Sequence, residues 1–211
     1  DSTQSRYGLG EWSFFGALPF ETMASVDLET MRAQMRRFKV EPHPTIPFCG
    51  GAVGYFSYDY GRRLEHLPTK ATNDRKVADM QFGLYDGVAA YHHRSGRLFL
   101  TGCGLSESAS ATIKRMQSWL AERTDFEPAG AGDTVFGPWE WNMDERAFCR
   151  AVASIRAFIA SGDVYQVNLS RRARCPFSGD PLYLYQVLRR GNPAPYSAYL
   201  SFPDFSLIST S

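Results

Sequence analysis

The sequence predicts an α+β fold of antiparallel sheets packed face to face, with flanking helices and with part of the sheet structure missing. Three observations carry this. Short β-rich runs and helical stretches are mixed without the regular β-α-β alternation that a parallel sheet needs. Turn residues separate neighbouring β-rich runs at hairpin spacing, as Arg94, Ser95 and Gly96 do between Tyr91 and Leu98. The chain of 211 residues is 44% hydrophobic, with 15 Phe, 11 Tyr and 4 Trp, enough for one large core or two smaller ones.

WSFFGALPF, residues 12–20, reads as a buried strand that turns at Pro19. LETMRAQMRRF, residues 28–38, sets Leu28, Met31, Met35 and Phe38 on one side of a helix. EPHPTIPF, residues 41–48, holds three prolines and must be an extended connection. Gly50, Gly51 and Gly54 then flank a strand that ends in aromatic residues. Residues 80–102 hold two β-rich runs around the Arg94–Gly96 turn, and residues 106–125 form a helix with Ile113, Met116 and Leu120 along its apolar side.

EPAGAGDTVFGP, residues 127–138, lacks periodicity and reads as a linker. Asn142 stands three residues before Glu145 at capping-box spacing, and Phe148, Val152, Ile155 and Ile159 follow at helical intervals up to a stop at Gly162. In SGDVYQVNLSRR, residues 161–172, Tyr165, Val167 and Leu169 alternate with Gln166 and Asn168, so a strand with an amide row is expected. Pattern alone leaves that row either facing solvent or walling an interior where each amide needs a partner. Asp180 and Pro181 open a helix that Gly191 closes, and residues 192–202 turn at their prolines into a strand. Pro203 and Asp204 make a hairpin turn into FSLIS.

Charge excludes some functions. Lys and Arg number 23 against 22 Asp and Glu, with no long run of one sign, so no basic stripe for nucleic acid is present. Cys49, Cys103, Cys149 and Cys175 are far apart and make no C-x-x-C pair, which argues against a zinc site and fits small buried hydrophobes in a reducing cytoplasm. No stretch reaches the roughly 18 apolar residues of a membrane span. Asp1 stands where a start would have Met, and the chain stops inside the alternating Phe205–Ser209 run, so a longer polypeptide is expected.

Reactive constellations are scarce. GGAVG, residues 50–54, lacks both the G-x-G-x-x-G fingerprint and a P-loop lysine, so its glycines read as close backbone passages. His92 and His93 point to opposite strand faces and read as surface residues rather than metal ligands. Asp144 and Glu145 are explained as charges at a helix N-terminus. No Ser-His-Asp set can be nominated.

Three segments add a resemblance. FCGGAVGYFSYDYGRRLEHLP (48–68), IASGDVYQVNLSRR (159–172) and GNPAPYSAYLSFPDFSLISTS (191–211) resemble, in order and spacing, the chorismate-binding enzymes. WSFFGALPF resembles the family's early strand. Asn168, with Tyr196, Ser197 and Ala198, resembles the aminodeoxychorismate synthase component I branch more than the anthranilate synthase branch. The resemblance implies two facing antiparallel sheets, with residues 1–126 an N-terminal region, 127–138 the linker and 139–211 the start of a chorismate-binding domain.

It also implies an activity: chorismate loses its C4 hydroxyl and gains an amino group, with ammonia supplied from glutamine by a partner amidotransferase. Magnesium (Mg2+) would offset the substrate's carboxylate charge, and a general acid would help the hydroxyl leave. The family's motifs for those steps lie beyond Ser211, so no catalytic residue or metal ligand is assigned and the fragment alone is expected to be inactive. What the resemblance does carry over is a tryptophan pocket. It comprises Ser2, the Leu9, Gly10, Glu11 and Trp12 segment, and Pro195, Tyr196 and Ser197, with Glu11 replacing the family's usual basic residue. It also favours the interior for Gln166 and Asn168, as supports between the sheets. The rival readings are the anthranilate branch and a non-catalytic amino-acid-binding module.

Overall fold

The computed structural model describes residues 10–69, 72–122 and 134–210. These fall into two units, one of Asp1–Phe126 with Tyr185–Ser211 and the other of Glu127–Leu184.

In the first unit, β1 (Trp12–Phe15) is the expected strand, and it runs into a loop whose Pro19 precedes a further strand, β2 (Glu21–Ala24). Asp27 caps α1 (Leu28–Arg37) by accepting from the Thr30 N–H at 2.8 Å, and Arg36 and Arg37 complement the dipole at its end. β3 (Gly51–Phe56) and β2 flank β4 (Met80–Tyr85), all antiparallel. Met80, Phe82 and Leu84 face α1, where Met31 and Met35 join Met23 and Tyr60 in the main core. Each fully buried Met or Leu there is worth about 1.5–3 kcal/mol. Gly54 lets β3 lie against β4, since a Cβ at that position would sit 2.0 Å from the Gln81 carbonyl oxygen.

Residues 80–102 hold three strands, because Asp86 and Gly87 separate β4 from β5 (Ala89–His92). β5 lies between β1 and β6 (Arg97–Leu100) in a second antiparallel sheet. Asp86, 4% exposed, accepts from the Leu105, Ser106 and Glu107 N–H groups and the Ser106 hydroxyl. It thereby ties the β4–β5 turn to the entrance of α2 (Ala109–Ala121). Burial pulls its carboxyl pKa up, but those hydrogen bonds outweigh it and hold the pKa below the ordinary value.

In the second unit, β7 (Val135–Phe136), inside the expected linker, pairs with β10 (Phe177–Ser178), and β8 (Glu140–Trp141) pairs with β9 (Ala173–Arg174). α3 (Glu145–Ala160) is capped by Asp144, which accepts from the Ala147 N–H at 2.7 Å. The expected cap, Asn142, instead accepts from the Arg172 N–H across the strand pair. Gly162 closes the helix with φ 81°.

Residues 164–172 form no strand. Tyr165 is 99% exposed, and Gln166 and Asn168 are exposed and bonded to each other at 3.2 Å, so the expected interior placement is not what this chain forms. Alternation makes a strand possible, but a ladder also needs a neighbour, and among the described residues no strand lies beside these.

α4 (Pro181–Gly191) begins at Asp180, whose carboxylate accepts from the Leu182 N–H. Back in the first unit, β11 (Ala198–Ser201) and β12 (Ser206–Ser209) form the expected hairpin.

Candidate functional site

Of the expected pocket residues, Ser2 and Leu9 lie outside the described residues. Gly10 takes φ 73° and leads into β1, where Glu11 forms an ion pair with Arg94 at 3.7 Å and its carbonyl accepts from the His93 N–H. Strand alternation then sends Trp12 and Ser13 to opposite faces of β1. Trp12 turns its indole to the face of Phe14, His92 and Phe99, with centroids 6.2, 4.6 and 5.8 Å away. Ser13 points the other way, is 1% exposed, and meets His93 Nε2 at 2.7 Å.

Pro195, Tyr196 and Ser197 form the turn before β11. Ser197 is 1% exposed, with its hydroxyl toward the Ala194 carbonyl, while Tyr196 is 64% exposed. β1 pairs with β5 and β11 with β12, so no backbone ladder among the described residues joins the two halves of the expected pocket.

Sequence reasoning missed Ser13 and Arg189 and misplaced His93. Burial lowers the His93 pKa, and the positive charge of Arg189 lowers it further. His93 is therefore a half-buried partner of Ser13, not the surface residue expected, whereas His92 lies near the hairpin turn and bonds Ser95. The signal was a serine between Trp12 and Phe14: where the flanking aromatics take one face, a small polar residue on the other can be buried if it finds a partner.

A cavity of about 470 Å³ has Cys49, Cys103, His43 and Thr101 in its wall. Burial, then Cys49 and Asp86, pushes the Cys103 thiol up to about 11, so it stays protonated and poorly nucleophilic at neutral pH. Among the described residues no group of three or more His, Cys, Asp or Glu side chains could hold a metal ion. No helix among them is long and apolar enough to cross a membrane.

The two antiparallel sheets and their helices define a class. The fold matches anthranilate synthase component I from Streptococcus pneumoniae with a TM-score of 0.79 at 21% identity, covering 99% of this chain and 51% of that one. The sequence narrows the class, because the profile of the family described as chorismate binding enzyme matches residues 12–211. The chain belongs to that family. It is 35% identical to aminodeoxychorismate synthase component 1 of Klebsiella aerogenes over 81% of this chain and 36% of the relative. Against the same component of Bacillus subtilis it is 35% identical over 86% and 40%. An anthranilate synthase component 1 of Haloarcula marismortui is 31% identical over 97% and 45%. The chain thus spans less than half the length of these relatives.

Proposed function

We propose that the protein to which this chain belongs acts as component I of an aminodeoxychorismate synthase. It converts chorismate and ammonia to 4-amino-4-deoxychorismate, a precursor of 4-aminobenzoate and folate. The observation that carries this reading is the 35% identity to two such components over more than four-fifths of the chain. Asn168, in the YQVNLS segment, supports the same branch. A partner amidotransferase supplies the ammonia from glutamine, and magnesium held outside the described residues offsets the substrate's carboxylates. The protein works in the cytoplasm. Residues 127–138 join an N-terminal region to a chorismate-binding domain that starts at residue 139.

Within this chain, Ser2, the Leu9–Trp12 segment and the Pro195–Ser197 turn form a niche for tryptophan. Buried Ser13 and half-buried His93 support the niche from the β1 face opposite the Trp12 indole. A second reading, anthranilate synthesis, is favoured by the relative that matches 97% of the chain. Incubating the full-length protein with chorismate, magnesium and ammonium and identifying the product by mass and fluorescence decides between them. 4-Amino-4-deoxychorismate supports the first reading and anthranilate replaces it. Tryptophan binding without turnover would leave only an amino-acid-binding module.

A further inference from the structure

One face of the β2–β4–β3 sheet packs against α1, and the other borders a cleft. Strand alternation puts Thr22, Val53, Gln81, Gly83 and Tyr85 on that second face, with Thr22 and Val53 directly opposite Gly83. They floor a cleft of about 700 Å³, whose sides are Phe14, Phe48 and the turn of the β11–β12 hairpin. Residues 10–12 and 195–197 are not among the described residues of its wall.

Three properties of the cleft restrict what it can hold. First, its floor is the Tyr85 ring, laid flat over two glycines. The Tyr85 ring lies across Gly16 and Gly83, and a Cβ on either glycine would come within 3.0 Å of that ring. Any larger residue at position 83 would also press on Pro19, again at 3.0 Å. Second, its sides are aromatic. Phe14 and Phe48 meet edge to face at 5.6 Å, and Phe202 lines the cleft from the hairpin, stacked on Phe205 at 4.8 Å. Third, among the described residues no side chain in the wall carries a charge, and the polar groups on the floor are neutral. The Gln81 carboxamide and the Tyr85 hydroxyl make no hydrogen bond among the described residues, and burial raises the Tyr85 pKa, which keeps it a protonated donor.

A space of this size, mostly apolar with a few convergent polar groups, has the form of a small-molecule site. The missing charge excludes a dicarboxylate such as chorismate and a zwitterionic amino acid, since neither would find a counter-charge. We propose that this cleft binds an uncharged, planar aromatic molecule, whose ring stacks on the Tyr85 ring beside Phe14 and Phe48 and whose polar edge meets Gln81 and the Tyr85 hydroxyl. The proposal is independent of which chorismate product the full protein makes.

The test is calorimetric titration of the full-length protein with three probes. These are 2-naphthamide, its carboxylate counterpart 2-naphthoate, and the saturated amide cyclohexanecarboxamide. Only 2-naphthamide should bind with measurable heat. Gln81→Leu and Tyr85→Phe should each weaken it about threefold to tenfold, the loss of one hydrogen bond, with thermal unfolding showing that both variants remain folded. Gly83→Val should abolish binding. If that variant does not fold, the Gln81 and Tyr85 variants decide alone. Equal affinity for naphthoate or the saturated amide would overturn the proposal, as would affinity unchanged in both polar variants. So would absence of binding because the remainder of the polypeptide fills the cleft.

Discussion

Ser13 Oγ and His93 Nε2 lie 2.7 Å apart, although 80 residues of sequence separate them. The bond locks the inner face of β1 to the end of the β5 strand, and it forms with a histidine whose pKa is held below its ordinary value of 6.5.

The pH consequence follows from that direction. Between the lowered folded pKa and the ordinary one, the unfolded chain binds more protons at this site, so stability rises with pH across the window. The contribution of His93 is present above the ordinary value and is lost as pH falls through the folded one. Thermal midpoints recorded from pH 7.5 down to 5 should decline, and His93→Gln should flatten that slope. A slope unchanged by the substitution would assign the effect to other groups.

Asp86 acts in a lower window. Its depressed carboxyl contributes stability above the ordinary carboxylate value of 3.8, and this is lost as pH falls through the folded pKa. Asp86→Asn leaves one acceptor oxygen where several donors converge, and urea unfolding should show a loss of about 2–4 kcal/mol.

Gly54 is a steric requirement. Gly54→Ala forces β3 away from β4 or out of register, because the Gln81 carbonyl already occupies the space. Urea unfolding should show a loss of about 2 kcal/mol or more. By comparison, Leu84→Ala, which leaves a cavity in the core under α1, should cost about 2–5 kcal/mol.

The α3 cap separates what sequence showed from what it did not. Asp144→Ala should remove about 1 kcal/mol of helix stability, read as lost ellipticity at 222 nm on mild heating. Asn142→Ala should leave the helix signal intact and weaken the β8–β9 pair instead. The sequence offered both residues. Spacing favoured Asn142 because Glu145 completes a capping box, but Asn142 Oδ1 is already bonded to the Arg172 N–H, a partner 30 positions away.

The same contrast holds through the fold. α1, α2 and the β5–β6 and β11–β12 hairpins were legible because each depends on periodicity and turn residues within about twenty positions. The Ser13–His93 pair was not, because strand alternation says which residues share a face but not which strand will lie alongside. Residues 164–172 failed for the same reason: their alternation is sound, and the ladder it anticipates has no second strand among the described residues. Chorismate family membership was legible in three short motifs, whereas the open cleft was not, since Gly83 and Tyr85 gain meaning only once Thr22 and Val53 are beside them.

Every described side chain from residue 134 to residue 184 touches water. A segment with few buried apolar contacts opens at the low end of local stability. Its amides should therefore exchange for deuterium well before those of β4, with α3 fraying from both ends.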